Sequence, residues 1–326
     1  MNMCTRVVYQ GLEGQIITAR SMDWAYEIPA NLWLFPRGME RHGQVGPNSV
    51  TWTSKYGSVV ASAYNIASAD GMNEKGLVAN LLWLAESRYP AYDGQQKALS
   101  IAAWVQYVLD NFATVDEAVA ELSTEPFVVV SANIPGTTKF GTLHLSISDA
   151  TGNNAIFEYI DGKLVIHAGM DYTVMTNSPI FEHQLALNEY WGQIGGLVML
   201  PGTNRAADRF VRTSFYINAI PKTSDARQAI AGAFSVIRNA SVPLGISSEE
   251  QPNISSTRWR SVADQKNLLY FFETTITPNV FWVDIKKADF NSGSPVQRLL
   301  VENYENYSGE TYDYFEIAEP FEFAGL

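Results

Sequence analysis

Cys4-Thr5-Arg6-Val7-Val8-Tyr9-Gln10-Gly11-Leu12-Glu13-Gly14-Gln15-Ile16-Ile17-Thr18-Ala19-Arg20-Ser21-Met22-Asp23-Trp24 stands near the start of the chain. Val7-Val8-Tyr9 and the run from Gln15 to Ala19 are rich in β-branched and apolar residues, and Gly11 and Gly14 lie between them. That pattern predicts two short strands joined by a glycine-containing turn. The hairpin has a chemical consequence. It brings the end carrying Cys4 beside the end carrying Arg20, with Asp23 three residues further on.

Cys4 is the only cysteine, so no intramolecular disulfide can form. A lone cysteine is most often a small buried hydrophobe; position sets this one apart. Removal of residues 1–3 would give Cys4 a free α-amino group. A thiol attacks as its thiolate and needs a base, and an α-amine with a pKa of about 8 is a base close to neutrality. It sits on the same residue, so no second side chain has to be positioned. The same amine can then protonate the nitrogen that leaves when an amide breaks. A neighbouring arginine favours the thiolate by its charge, which is the role available to Arg20. Asp23 is placed to accept hydrogen bonds from the α-ammonium. Together these features point to an amide hydrolase with Cys4 as nucleophile. A non-catalytic binding protein would instead keep Met3 bonded to Cys4.

Outward from the hairpin, strands are expected over 31–36, 50–53 and 58–63, the last two as a pair around Lys55-Tyr56-Gly57. Gly71-Met72-Asn73-Glu74-Lys75-Gly76-Leu77 reads as a turn feeding a strand over 78–84. Ser100 can cap a helix over 101–112, whose apolar residues Trp104, Val105, Val108, Leu109 and Phe112 fall on one helical face. Further helices are expected over 114–122, 206–217 and 225–237. Further strands are expected over 127–130, 143–148, 155–159, 163–167, 172–175, 268–273 and 280–284. This order is not regular βαβ alternation. It predicts an α+β fold in which antiparallel sheets pack together with helices in outer layers. Without repeat, low-complexity block or linker, residues 1–326 read as a single domain, with 1–3 removed on maturation.

The totals narrow the function classes. Lys+Arg number 22 against 34 Asp+Glu, a formal net charge of −12, which repels phosphate backbones and makes nucleic acid a poor partner. No run approaches the roughly 18 apolar residues of a membrane helix, so no membrane partner is expected. His42, His144, His167 and His183 show no metal-ligand spacing and read as structural or surface residues; no metal is expected. The glycines are scattered without a phosphate loop, and no cofactor is expected. No charged segment followed by an apolar stretch opens the chain. The compartment is periplasmic if a leader precedes Cys4 in the gene product, and otherwise cytoplasmic.

Six motifs then occur in order: Cys4-Thr5-Arg6; Ala19-Arg20-Ser21-Met22-Asp23-Trp24; Gly71-Met72-Asn73-Glu74-Lys75-Gly76-Leu77; Thr176-Asn177-Ser178-Pro179; Leu200-Pro201-Gly202; and Arg209-Phe210-Val211-Arg212. Together they resemble the choloylglycine hydrolase family of N-terminal-nucleophile hydrolases, which includes penicillin V acylases and conjugated bile salt hydrolases. The resemblance runs through the tail Phe321-Glu322-Phe323-Ala324-Gly325-Leu326. It implies a four-layer αββα sandwich of two antiparallel sheets. It also implies Cys4 as nucleophile with its own amine as base, Arg20 beside the thiolate and Asp23 holding the amine. Asn177 would donate to the oxyanion, and Arg209 matches the remaining motif arginine near the nucleophile.

One position departs from the two best-known branches. Ten residues past Asn73, the bile salt branch has Asn and one penicillin V branch has Tyr; here it is Trp83. With Trp24, it is similar to the penicillin V acylases of Gram-negative bacteria, members of which also hydrolyse N-acyl homoserine lactones and handle bile salts poorly. The resemblance therefore implies a small amide substrate. Penicillin V comes first, N-acyl homoserine lactone is the alternative, and conjugated bile salt comes last. Trp24 and Trp83 would be apolar walls of the binding pocket. The assembly implied is a homotetramer.

Overall fold

The computed structural model describes residues 3–131, 133–135, 140–195, 198–246, 255–277, 279–303 and 305–325. Met1 and Asn2, two of the three residues whose removal is expected, and the final Leu326 lie outside the described residues.

The opening hairpin forms as its sequence requires. Strand β1 (Met3–Gln10) pairs antiparallel with β2 (Ile16–Trp24). Among the described residues they belong to a seven-stranded sheet. Its order is Val174–Met175, β1, β2, Ser256–Asp264, Leu269–Thr274, Phe281–Asp284 and Gly309–Glu310. A nine-stranded sheet runs Lys163–Ala168, Asn154–Ile160, Leu143–Ser148, Val78–Trp83, Ala67–Asn73, Ser58–Ala63, Leu32–Phe35, Gln297–Leu299 and Glu316–Ile317. Neighbours are antiparallel except for the final pair of the first sheet.

The two sheets face each other, and helices cover their outer sides. Helices α1 (Trp104–Asn111) and α2 (Val115–Leu122) pack on the nine-stranded sheet. Helix α3 (Phe181–Ile194) packs on α4 (Ala206–Ala219), and α4 and α5 (Ala226–Asn239) cover the seven-stranded sheet. This is a four-layer αββα sandwich. All nine residues of β2 are buried because both of its faces are covered, so polar and apolar residues do not alternate along it as they would in a half-exposed strand.

Three local expectations change. Thr51–Thr53 pairs with Glu40–His42 rather than with Ser58–Ala63. Gly71, Met72 and Asn73 belong to the strand Ala67–Asn73, and only the residues after them turn. Gly71 is there for close approach: a Cβ would sit 2.6 Å from the Val59 carbonyl oxygen and 2.8 Å from a Leu109 methyl. Helix α3 and the strand Ser256–Asp264 carry no clean sequence signal. In α3 the apolar residues Leu185, Leu187, Tyr190 and Ile194 are all at least partly exposed and form no single stripe.

Asn73 explains its motif. Its Nδ2 donates to the Leu109 and Phe112 carbonyls at 2.9 and 2.8 Å, capping the end of α1. Its Oδ1 accepts from the backbone N–H groups of Lys75 and Leu77 at 3.0 and 3.1 Å, closing the turn. Gly76 completes that turn with a φ of +80°, a region that favours glycine. Asn73→Ala should leave two buried carbonyls without donors and destabilise the fold by about 2–3 kcal/mol. Urea denaturation should show a lower midpoint with an unchanged slope.

Candidate active site

The register of the hairpin decides which groups meet. Cys4 pairs with Met22, Met3 with Asp23 and Thr5 with Ser21. Side chains alternate along a strand. Cys4, Arg20, Met22 and Trp24 therefore share the face toward the second sheet, whereas Thr5 and Asp23 share the face beneath α4.

Between the sheets, Arg20 is fully buried. Its Nη2 lies 3.7 Å from Cys4 Sγ and 3.4 Å from Met22 Sδ, and donates to the Leu81 carbonyl at 3.1 Å. Its Nη1 is 3.7 Å from Asp70 Oδ2, and its guanidinium carbon sits 4.5 Å from the centroid of the Trp259 ring. Asp70 is itself held by Tyr270 Oη and Asn80 Nδ2 at 2.5 and 2.7 Å. Burial pushes the Cys4 thiol above its ordinary pKa. The Arg20 cation and the Asp23 backbone N–H pull it back, while the Asp23 carboxylate pushes it up again.

On the helix face, Arg209 of α4 binds the start of β1. Its Nη1 donates to the Cys4 carbonyl at 2.8 Å and to Thr5 Oγ1, and lies 3.4 Å from Asp23 Oδ2. Its Nη2 donates to Asn177 Oδ1 at 2.9 Å. The Cys4 backbone N–H donates to the same Asn177 oxygen at 2.5 Å, and Asn177 Nδ2 donates to the Trp83 carbonyl at 2.6 Å. Two donors on its oxygen and a carbonyl on its nitrogen set the orientation of that amide. Thr257 Oγ1 donates to Asp23 Oδ1 at 2.6 Å. Burial pushes the Asp23 carboxyl up, opposed by Arg209 and Thr257, and pushes Arg209 down.

The thiol and Arg20 line a cavity whose walls include Trp24, Ile28, Tyr64, Trp83, Ile134 and Leu143. Trp24 and Trp83 meet edge to face, with centroids 6.0 Å apart and planes at 68°. Trp24 Nε1 donates to Tyr64 Oη at 3.0 Å. Among the described residues no group of three or more His, Cys, Asp or Glu side chains is arranged to hold a metal ion. A nucleophilic sulfur, a fixed cation and polarising amides beside an apolar cavity can support acyl transfer from an amide to the thiol.

All seven residues singled out in the sequence converge here: Cys4, Arg20, Asp23, Asn177, Arg209, Trp24 and Trp83. One contact differs from expectation. With Met3 bonded ahead of it, the Cys4 nitrogen donates to Asn177, and the Asp23 carboxylate contacts Arg209, Thr257 and Ser21 instead. Sequence reasoning missed Met22, Asp70, Tyr64, Thr257 and His144. Met22 was within reach, since it lies two residues from Arg20 on the same strand face. His144 gave no signal. It is buried, and its Nε2 meets the Thr176 carbonyl at 2.8 Å and its Nδ1 meets Glu158 at 3.0 Å, tethering the residue before Asn177.

Comparison with known proteins agrees with this geometry. Residues 4–298 match the family of linear amide C–N hydrolases, choloylglycine hydrolase family. A penicillin V acylase from Pectobacterium atrosepticum is 54% identical, over 99% of this chain and 92% of its own length. A bile salt hydrolase/transferase from Clostridium perfringens is 27% identical, over 89% of this chain and 94% of its own. The solved structure of penicillin V acylase from Agrobacterium tumefaciens superposes with a TM-score of 0.93 at 60% identity, over 99% of this chain and 100% of that one. This chain therefore belongs to the choloylglycine hydrolase family and is an amidohydrolase acting on linear amides.

Proposed function

We propose that the chain, once residues 1–3 are removed, hydrolyses the side-chain amide of penicillin V. The observation that carries this reading is the meeting of the Cys4 thiol, the buried Arg20 cation and the Trp24–Trp83 indole pair at one cavity. The indoles offer flat apolar surfaces to a phenoxyacetyl group.

Burial holds the Cys4 thiol above its ordinary pKa, opposed by the Arg20 cation. Attack then needs a base, and the α-amine of Cys4 supplies it. Sγ bonds to the carbonyl carbon as its proton passes to the amine. The resulting oxyanion takes the second Nδ2 hydrogen of Asn177 and the backbone N–H of Trp83. The C–N bond breaks, the ammonium protonates the leaving nitrogen, and a thioester remains on Cys4. The amine then removes a proton from water, which attacks the thioester and releases the acid. Penicillin V would give phenoxyacetate and 6-aminopenicillanic acid with the β-lactam ring intact. Asp23, opposite Met3 in the strand register, is the acceptor for the hydrogens the new amine gains, and Arg20 favours the thiolate.

N-acyl homoserine lactone is the alternative substrate, favoured by the mostly aliphatic and aromatic lining of the cavity. Conjugated bile salts come last, since the bulky Trp83 stands where that branch has Asn. One domain over 1–326 is the reading that the weave supports. The first sheet contains both Met3 and Glu310, and the second contains both Leu32 and Ile317.

The processed enzyme should hydrolyse a phenoxyacetyl amide with a higher kcat/KM than a long-chain acyl homoserine lactone or a glycine-conjugated bile salt. Cys4→Ala should lower all three by about a thousandfold or more. A larger value for the lactone would make it the better substrate assignment, and full activity in Cys4→Ala would end the mechanism. For the assembly we propose a homotetramer. Leu187, Tyr190, Val198 and Met199, on and after α3, are exposed apolar side chains that a subunit interface would cover. Sedimentation velocity should find a tetramer that Leu187→Asp with Met199→Asp dissociates; a wild-type monomer would contradict it.

A further inference from the structure

Tyr64 occupies a backbone conformation that large L-residues rarely adopt. It is the first central residue of the turn between the strands Ser58–Ala63 and Ala67–Asn73, with a φ of 54°, and Asn65 follows at 52°. The Ile66 N–H donates to the Ala63 carbonyl at 3.1 Å, closing a β-turn with positive φ at both central residues, a conformation that favours Asn, Asp or Gly. Asn65 suits it; Tyr64 does not. The surroundings over-determine the turn. The Tyr64 N–H donates to the Pro29 carbonyl at 2.8 Å. Asn65 Oδ1 accepts from Asn31 Nδ2 and Ser62 Oγ at 3.0 and 2.8 Å, and its Nδ2 donates to Glu302 at 2.9 Å. An unfavourable conformation held this firmly at a site is a pointer to function.

What the conformation achieves is the placement of one hydroxyl. Tyr64 Oη accepts the indole hydrogen of Trp24 at 3.0 Å. An indole nitrogen only donates, so the phenolic hydrogen must point elsewhere. Among the described residues no acceptor takes it, and Tyr64 lines the cavity that holds Cys4. Burial pushes the Tyr64 phenol above its ordinary pKa, so it remains a donor at neutral pH. Of the other polar side chains lining this cavity beyond Cys4 and Arg20, Ser68 gives its hydrogen to Gln106 at 2.9 Å, Asn133 sits exposed on the 133–135 segment, and Trp83 adds an indole N–H.

The phenol lines the same cavity as the Cys4 thiol. Met22 Sδ is 3.9 Å from Cys4 Sγ. Trp24 is the next residue on the same face of β2, about 7 Å along the strand, and its indole nitrogen is hydrogen-bonded to Tyr64. We propose that Tyr64 is a specificity-determining residue that favours acyl groups carrying a hydrogen-bond acceptor over hydrocarbon groups of the same length. Aryloxyacetyl and 3-oxoacyl groups share that chemistry. The proposal rests on the acylase reading above and refines it.

The test uses two amides of the same amine, phenoxyacetyl and 3-phenylpropanoyl, which differ by an oxygen in place of a methylene. Their intrinsic reactivities differ, but that difference cancels when one ratio of kcat/KM is compared between two enzymes. Tyr64→Phe should lower the phenoxyacetyl to phenylpropanoyl ratio by about 5- to 10-fold, the worth of one neutral hydrogen bond, and Asn133→Ala should leave it unchanged. A ratio that Tyr64→Phe does not move, or that moves only in Asn133→Ala, overturns the proposal. Should Tyr64→Phe fail to fold, inhibition of the wild type decides. Phenoxyacetate should bind about 5-fold more tightly than 3-phenylpropanoate, and equal binding overturns the assignment. Hydrolysis of neither amide by the processed wild type would sink the acylase reading, while the two acids would still test the donor at Tyr64.

Discussion

A single buried guanidinium holds the start of the chain in place. Arg209 reaches from α4 to the carbonyl of Cys4, the hydroxyl of Thr5, the carboxylate of Asp23 and the amide oxygen of Asn177. Those groups come from three separate segments, and among the described residues this cation alone joins them all. A buried ion pair is weak evidence for stability, because desolvation offsets most of its Coulomb energy. Its value here is positional. The first strand residue of a sheet ordinarily frays, and Cys4 is kept from fraying by a donor on its carbonyl and an acceptor on its nitrogen. Loss of the cation would strand Asp23 as a buried charge, at a typical cost of about 3–5 kcal/mol.

The sandwich lets one hairpin serve two chemistries. The face of β1 and β2 that meets the second sheet carries the thiol, Arg20 and the apolar residues that line the cavity. The opposite face carries Thr5 and Asp23 and meets Arg209. The cavity between the sheets therefore reaches the sulfur without including Thr5, Asp23 or Arg209 in its walls. Low dielectric between the sheets strengthens the influence of Arg20 on the sulfur, while the same burial opposes ionisation of the thiol. In the mechanism proposed, the α-amine of Cys4 takes the proton.

The central parts of this arrangement were legible in the sequence because they are local. The Gly11–Gly14 turn and its flanking β-branched runs give the hairpin, and the hairpin alone brings Cys4 to Arg20. The helical stripe of 101–112 and the mixed order of strands and helices give the layering. Asn177, Arg209 and Trp83 came from resemblance, since nothing in their own spacing links residues so far apart in sequence. The fully buried polar partners stayed hidden for a physical reason. Asp70, Thr257 and His144 lie on strands with both faces covered, where polar residues can point into the interior and periodicity no longer separates inside from outside. Helix α3 was hidden for the opposite reason, its apolar residues being spread around it.

Proton transfer by the mechanism proposed requires that the amino group of Cys4 be free. Intact-mass analysis of a preparation titrated for active sites measures this directly. A mass corresponding to a chain that begins at Cys4, in proportion to the fraction of active enzyme, is the result predicted. Full activity in a preparation whose mass retains Met3 ahead of Cys4 would contradict it.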